Sequence, residues 1–194
     1  MTQHRGEDTR GRILDAAVRR FAISGYDAAS VDDICAEAGV SKGAFYHHFP
    51  TKQAIFLALM EGWLTMIDMG MEAVHEETVP ETLITMTNLL PGVFAAAEDR
   101  LPMFLEFWLQ ASRDETIWNA IIAPYRHYQE YFSKLIRDGI EEGSLKSVDS
   151  QVAAQLVVSM AVGLVLQGVL EPHGADWEKT ARESMQILMN GLAK

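Results

Sequence analysis

The sequence predicts an all-α protein, with a small three-helix head followed by a larger helical body. Three observations lead there. Apolar residues recur at i, i+3, i+4 and i+7 through most of the chain, and no convincing run alternates as a strand would. Capping residues, glycines and prolines fall where helices should start and stop. Residues 30–52, SVDDICAEAGVSKGAFYHHFPTK, read as two short helices joined by a tight turn.

Residues 1–8 are polar and are expected to be disordered, with Arg5 free to act as an arm. Asp8 or Thr9 can cap a first helix running to about Ser24, with Ile13, Ala17 and Phe21 as its buried row and Gly25 as its terminator. Ser30 with Asp33 makes a capping box for the second helix, whose apolar face is Val31, Ile34, Cys35 and Ala38. Gly39 can take the left-handed conformation that ends it, and Ser41 can cap a third helix that stops before Pro50. Thr51 can cap a longer helix beginning at Lys52, with Ile55 and Leu59 on one face.

Further along, Thr78 and Pro80 mark a helix start, and Pro91 should break or kink the chain near Leu90. Pro102 should open a helix through Ala111, and Ser112 with Glu115 resembles another capping box. Pro124 should kink or divide the long segment ending near Gly143. Asp149 can cap the apolar helix that Glu171-Pro172 ends, and Asp176 can cap the last one, striped by Trp177, Ala181, Met185, Leu188 and Leu192.

The third helix carries small, basic and hydrogen-bonding groups in a pattern suited to a DNA groove. The segment 30–52, with TRGRILDAAVRRFAISGYDAAS before it, resembles the DNA-binding region of the tetracycline-repressor (TetR/AcrR) family of bacterial transcriptional regulators. Gly43, Phe45, Tyr46, His48, Phe49 and Lys52 carry the likeness, which covers residues 9–55; Pro50 departs from it, where a polar or basic residue is common. The resemblance implies DNA contacts at Lys42, Gly43, Ala44, Tyr46 and His47, with His48 and Lys52 reaching phosphates. Gly43 would let the helix approach the backbone closely, and Ala44 could meet a thymine methyl. Ser30 and Ser41 can bind phosphate beside free helix N–H groups, although each is also explained as a cap. Phe45 and Phe49 are expected in the core.

The net charge of −11 sits in the body, because residues 1–52 hold seven Lys/Arg against seven Asp/Glu and the remainder nine against twenty. A neutral head with clustered cations is compatible with phosphate binding, and an acidic body would be repelled by the duplex. The single cysteine, Cys35, excludes an internal disulfide and fits a reducing, cytoplasmic setting. As a thiol it reads better as a buried structural residue than as a redox sensor.

The expected domains are 1–52, the DNA-binding helix-turn-helix, and 53–194, a helical ligand-binding and dimerisation domain. Candidate ligand-binding residues are Trp63, Met66, Phe94, Met103, Phe104, Phe107, Trp108, Trp118, Tyr125 and Tyr128, with Met160 nearby in character. Ordinary core packing explains any one of them, but as a group they suit an adaptable pocket in a helix bundle. Asp68 and Glu106 could offer a counter-charge to a cationic ligand. The uncharged stretch 152–170 approaches membrane-spanning length, but its Gln, Ser and Gly residues and its flanks favour a helix between the core and a second subunit. Pairing the last two helices of each subunit would make a homodimer and set two reading helices about 34–36 Å apart on a palindromic operator.

His47 and His48 point about 100° apart on a helix and cannot share a metal well, and no catalytic constellation or cofactor motif is present. The sequence therefore predicts a ligand-responsive regulator, a repressor released from double-stranded DNA by a small hydrophobic or amphipathic molecule. The alternatives are a helical small-molecule carrier without regulatory DNA binding and a helix-bundle enzyme.

Overall fold

The computed structural model describes residues 2–98, 111–112 and 114–194. The described chain forms α1 (Thr2–Ser24), α2 (Val31–Ala38), α3 (Lys42–His48), α4 (Lys52–Glu72), α5 (Val79–Met86), α6 (Leu90–Glu98), α7 (Glu115–Glu142), α8 (Ser150–Leu170) and α9 (Trp177–Leu192), with a 3₁₀ turn at Thr87–Leu89. No strand occurs among the described residues; one isolated bridge pairs Leu145 with Ala193. The all-α expectation holds.

Two compact units emerge. One contains the chain to Thr65 and the start of α7 up to Ala120; the other contains Met66–Glu98 and Ile121–Lys194. The first unit is built around Ile13, Phe21, Ile34, Phe45, Ile55 and Phe56, all fully buried. Each such side chain contributes about 1.5–3 kcal/mol on burial. The Tyr26 ring lies between Phe21 and Phe56, at 5.2 and 5.8 Å between centroids, and so ties the loop after α1 to both α1 and α4. Cys35 is buried on α2, and that burial, followed by the nearby Asp32 charge, pushes its thiol pKa up.

The second unit packs Leu83, Ile136, Leu145, Val157, Met185 and Met189 into one core. Two glycines make room for large neighbours there. A methyl on Gly139 would lie 2.7 Å from Leu145, and one on Gly168 would lie 2.5 Å from the Phe94 ring. Backbone bonds from Lys146 N to Leu192 O (2.8 Å) and from Lys194 N to Ser144 O (3.2 Å) fasten the end of α9 to the loop after α7.

Most predicted punctuation is present. Thr78 and Glu81 form a capping box, and the 3₁₀ turn followed by Pro91 in the first turn of α6 gives the expected break. Thr51, Asp149 and Asp176 accept from N–H groups of the helices they precede. Three expectations are corrected. α1 begins at Thr2 rather than near Thr9, since no proline separates those residues from the amphipathic run and the helix continues through Gly6 and Gly11. Asp114, not Ser112, caps α7, its carboxylate accepting from Thr116 N (2.8 Å) and Ile117 N (3.2 Å). Pro124 does not divide α7, which continues through it to Gly143, whose φ of 88° ends the helix. The helix predicted after Pro102 lies outside the described residues.

α8 was expected to be buried on nearly every side. Within this chain it buries Ala153, Ala154, Val157, Val158 and Leu164, while Val152 (52%), Leu156 (53%) and Leu170 (66%) stay exposed along another face with Val162 and Leu166. It is long and apolar enough to cross a membrane by length and composition, as is α4.

Candidate nucleic-acid interface

α2 is fixed at both ends by local chemistry, and its C-terminal end makes the turn into α3. Ser30 Oγ accepts from Asp33 N (3.1 Å) while Asp33 Oδ2 accepts from Ser30 N (3.1 Å) and Ser30 Oγ (2.5 Å), a complete capping box. These bonds from Ser30 hold the Asp33 carboxyl below the usual carboxylate range. At the other end Gly39 has φ 63° and ψ 41°, Gly39 N donates to Ala36 O (3.3 Å) and Val40 N to Cys35 O (3.0 Å). That pair of bonds is the Schellman arrangement, which needs a left-handed residue at the glycine. Ser41 Oγ then caps α3 by accepting from Ala44 N at 3.2 Å.

α3 is seven residues long and buries only Phe45. Ser41, Lys42, Gly43, Tyr46 and His47 are exposed, and Ala44 and His48 are half-buried. Tyr46 is 52% exposed, with its ring held edge-on to Phe45 at 5.2 Å. Gly43 has no packing reason to be glycine, because a methyl there would meet nothing nearer than Ser41 Oγ at 3.8 Å. Gly43 stands in the first turn of α3, where the fold has room for the methyl group of an alanine. The two serines differ: Ser30 donates its hydroxyl proton to Asp33, whereas Ser41 acts here only as an acceptor.

Several charged groups of the head make contacts that the sequence reading did not anticipate. The Nζ of Lys52, expected to reach a phosphate, donates within this fold to the carbonyls of Tyr26 (2.6 Å), Asp27 (3.1 Å) and Ala29 (3.1 Å), and it sits 4.4 Å from the Tyr26 ring centroid. As placed, Lys52 is a clasp that ties the start of α4 to the loop between α1 and α2. Arg12, which the sequence reading passed over, does the same for the turn: its Nε donates to Ala38 O (3.2 Å), and its Nη2 to Ala38 O (2.5 Å) and Gly39 O (2.9 Å). Helix C-termini leave orphan carbonyls that require a donor, and that rule is the sequence signal that could have called for Arg12.

The remaining described cations of the head also have partners. Arg19 and Arg20 face Glu37 at 2.9 and 3.7 Å, Arg10 lies 5.3 Å from the Phe49 ring centroid, and Lys42 Nζ is 2.6 Å from Asp32 Oδ1. The bond to Asp32 and its charge raise the Lys42 pKa, so that side chain is a cation throughout the physiological range.

In the body, the candidate ligand residues do not share one environment. Met66 and Trp118 are each 49% exposed, while Trp63, Phe94, Tyr125 and Tyr128 are half-buried. Phe94 packs on Gly168, and Tyr128 and Met160 pack against the core of the second unit. Met103, Phe104, Glu106, Phe107 and Trp108 lie outside the described residues. The structure does bring together Asp68, His127 and Tyr128. His127 Nε2 is 3.8 Å from Asp68 Oδ1. The Tyr128 hydroxyl is buried without a well-oriented hydrogen-bond partner among the described residues, and burial, with Asp68 second, raises its pKa.

Residues 13–59 match the family described as "Bacterial regulatory proteins, tetR family", and residues 86–193, more than half the chain, match "BetI-type transcriptional repressor, C-terminal". The HTH-type transcriptional regulator UidR of Escherichia coli (strain K12) is 21% identical, covering 98% of this chain and 95% of its own length. The fold is shared with solved structures. A transcriptional regulator from Saccharomonospora viridis in complex with choline matches with a TM-score of 0.79 at 22% identity, covering 97% of this chain and 99% of that one. A TetR transcription regulator from Haloarcula marismortui ATCC 43049 matches with a TM-score of 0.80 at 21% identity, covering 97% and 100%. With a doubly capped helix-turn-helix and family matches at both ends, the chain belongs to the tetR family of bacterial regulatory proteins and is a DNA-binding transcriptional regulator.

Proposed function

We propose that this regulator is a homodimeric repressor that holds a palindromic operator through the exposed face of α3 and lets go when a small molecule binds its body. The observation that carries the reading is that face: Tyr46 stands half in solvent, and Gly43 leaves open space beside the helix. Lys42, Ala44, Tyr46, His47 and His48 are the contacts in the major groove and on its phosphates, with Ser41 at the helix start.

The second subunit is recruited by the apolar face of α8, joined by Ile187 of α9, which is 74% exposed. Burying such a face against its symmetry mate makes a four-helix interface. For the effector, the grouping of Asp68, His127 and the buried Tyr128 hydroxyl supports a small amphipathic molecule carrying a positive charge. The Saccharomonospora viridis neighbour is in complex with choline, a cation. Such a ligand releases DNA only by binding the DNA-incompetent state more tightly, since equal affinity for both states shifts nothing.

The test uses a duplex selected from a random pool by the wild-type protein. Tyr46→Ala is expected to lower affinity for it by about tenfold or more with unchanged helix content, the size of one lost base or phosphate contact. Undiminished binding by that variant would remove α3 from the interface.

A further inference from the structure

Asp32 is an acidic side chain on the face that would meet a polyanion, and no capping bond of α2 depends on it. It stands in the first turn of α2, but the capping box of that helix is completed by Asp33 without it. Its partner is Lys42, the first residue of α3, at 2.6 Å, with the two side chains 62% (Lys42) and 66% (Asp32) exposed. This pair differs in kind from the clasps that Arg12 and Lys52 make on backbone carbonyls. Withdrawing Arg12 or Lys52 would strip part-buried carbonyls of their donors, which is costly. Withdrawing Lys42 leaves only an exposed carboxylate that water can solvate at once. Lys42 is therefore the cation of the turn that can be exchanged, and Asp32 is what it must be exchanged from.

We propose that Asp32 competes with DNA for Lys42, and that this exchange lowers the affinity of the head for DNA of any sequence. The inference rests on the reading of Lys42 as a DNA contact. A phosphate oxygen and a carboxylate oxygen offer the ammonium the same kind of acceptor, so each complex must first break the pair. Sequence-independent affinity comes almost wholly from such phosphate contacts, and a genome presents an enormous excess of non-specific sites. An internal competitor at the first cation of the reading helix restrains that background binding. Asp32 is thus a positioning residue for Lys42, not a DNA contact.

The experiment is a double-mutant cycle on the full-length protein, measuring affinity for a random-sequence duplex with Asp32→Asn, Lys42→Met and the double variant. Asp32→Gln serves as a second neutral replacement, and helix content is checked throughout. Asp32→Asn is expected to tighten binding about two- to fivefold, the scale of an exposed ion pair, and most of that gain should vanish when Lys42 is already Met. Equal gains in both backgrounds, with Lys42→Met itself weakened, would overturn the proposal and leave the Lys42 contact intact, because Asp32 would then act on the DNA directly. No gain from either neutral variant would also overturn it. Lys42→Met binding as tightly as the wild type would remove the Lys42 contact and the proposal with it.

Discussion

The outward faces of α3 and α8 are supported in opposite ways. α3 has seven residues, too few to persist alone, and it depends on its Ser41 cap, its one buried side chain Phe45, the Arg12 clasp on the turn and the Lys52 clasp on the loop before α2. α8 has twenty-one residues and buries a full face in its own unit, yet it leaves Val152, Leu156 and Leu170 in solvent. The first surface is polar and needs its neighbours to exist at all. The second is held by its own buried face and stays open among the described residues. On the proposed reading, the α3 surface is sensitive to distant changes in its clasps, whereas the α8 surface is sensitive chiefly to changes on the surface itself.

That contrast can be broken most forcefully at Leu156. Leu156→Glu puts a charge in the middle of the exposed α8 face and is expected to leave a monomer of unchanged helix content, measured by sedimentation. Losing the linked second head should lower operator affinity about 100-fold. A dimer that survives the change would place the assembly surface elsewhere.

Lys52→Met tests the imported support of α3. Losing three charge-assisted bonds to carbonyls should lower head stability by about 2 kcal/mol in thermal or denaturant unfolding. Because the ammonium touches carbonyls and not phosphate, the salt dependence of DNA binding should keep its slope; a slope shallower by about one per head would return Lys52 to the phosphate backbone. Gly43→Ala sharpens the comparison with opposite signs in one variant. It should stabilise the head by about 1 kcal/mol and weaken operator binding about tenfold, read by unfolding and by mobility shift.

The parts legible in the sequence were those set by near neighbours. Ser30 with Asp33, Gly39 and Ser41 specify the turn within a dozen residues, and the apolar periodicity gave the helices on either side. What stayed hidden depended on backbone acceptors far along the chain. Lys52 reaches back to the carbonyl of Tyr26, and Arg12 forward to that of Ala38, each twenty-six positions away. No side chain advertises a carbonyl, so both cations looked available for phosphate, or unremarked. The Ser112 expectation failed for a local reason instead: α7 starts at Glu115, so Asp114 stands at the capping position and accepts from its first free N–H groups.

The buried thiol gives the head a built-in clock. Cys35 is the only cysteine in the chain, it sits 6% exposed on α2, and burial disfavours its reactive thiolate. An alkylating reagent must therefore wait for α2 to come loose before it can label the protein. The labelling rate of the unmodified chain then counts openings of the helix-turn-helix alone, whatever the second unit is doing.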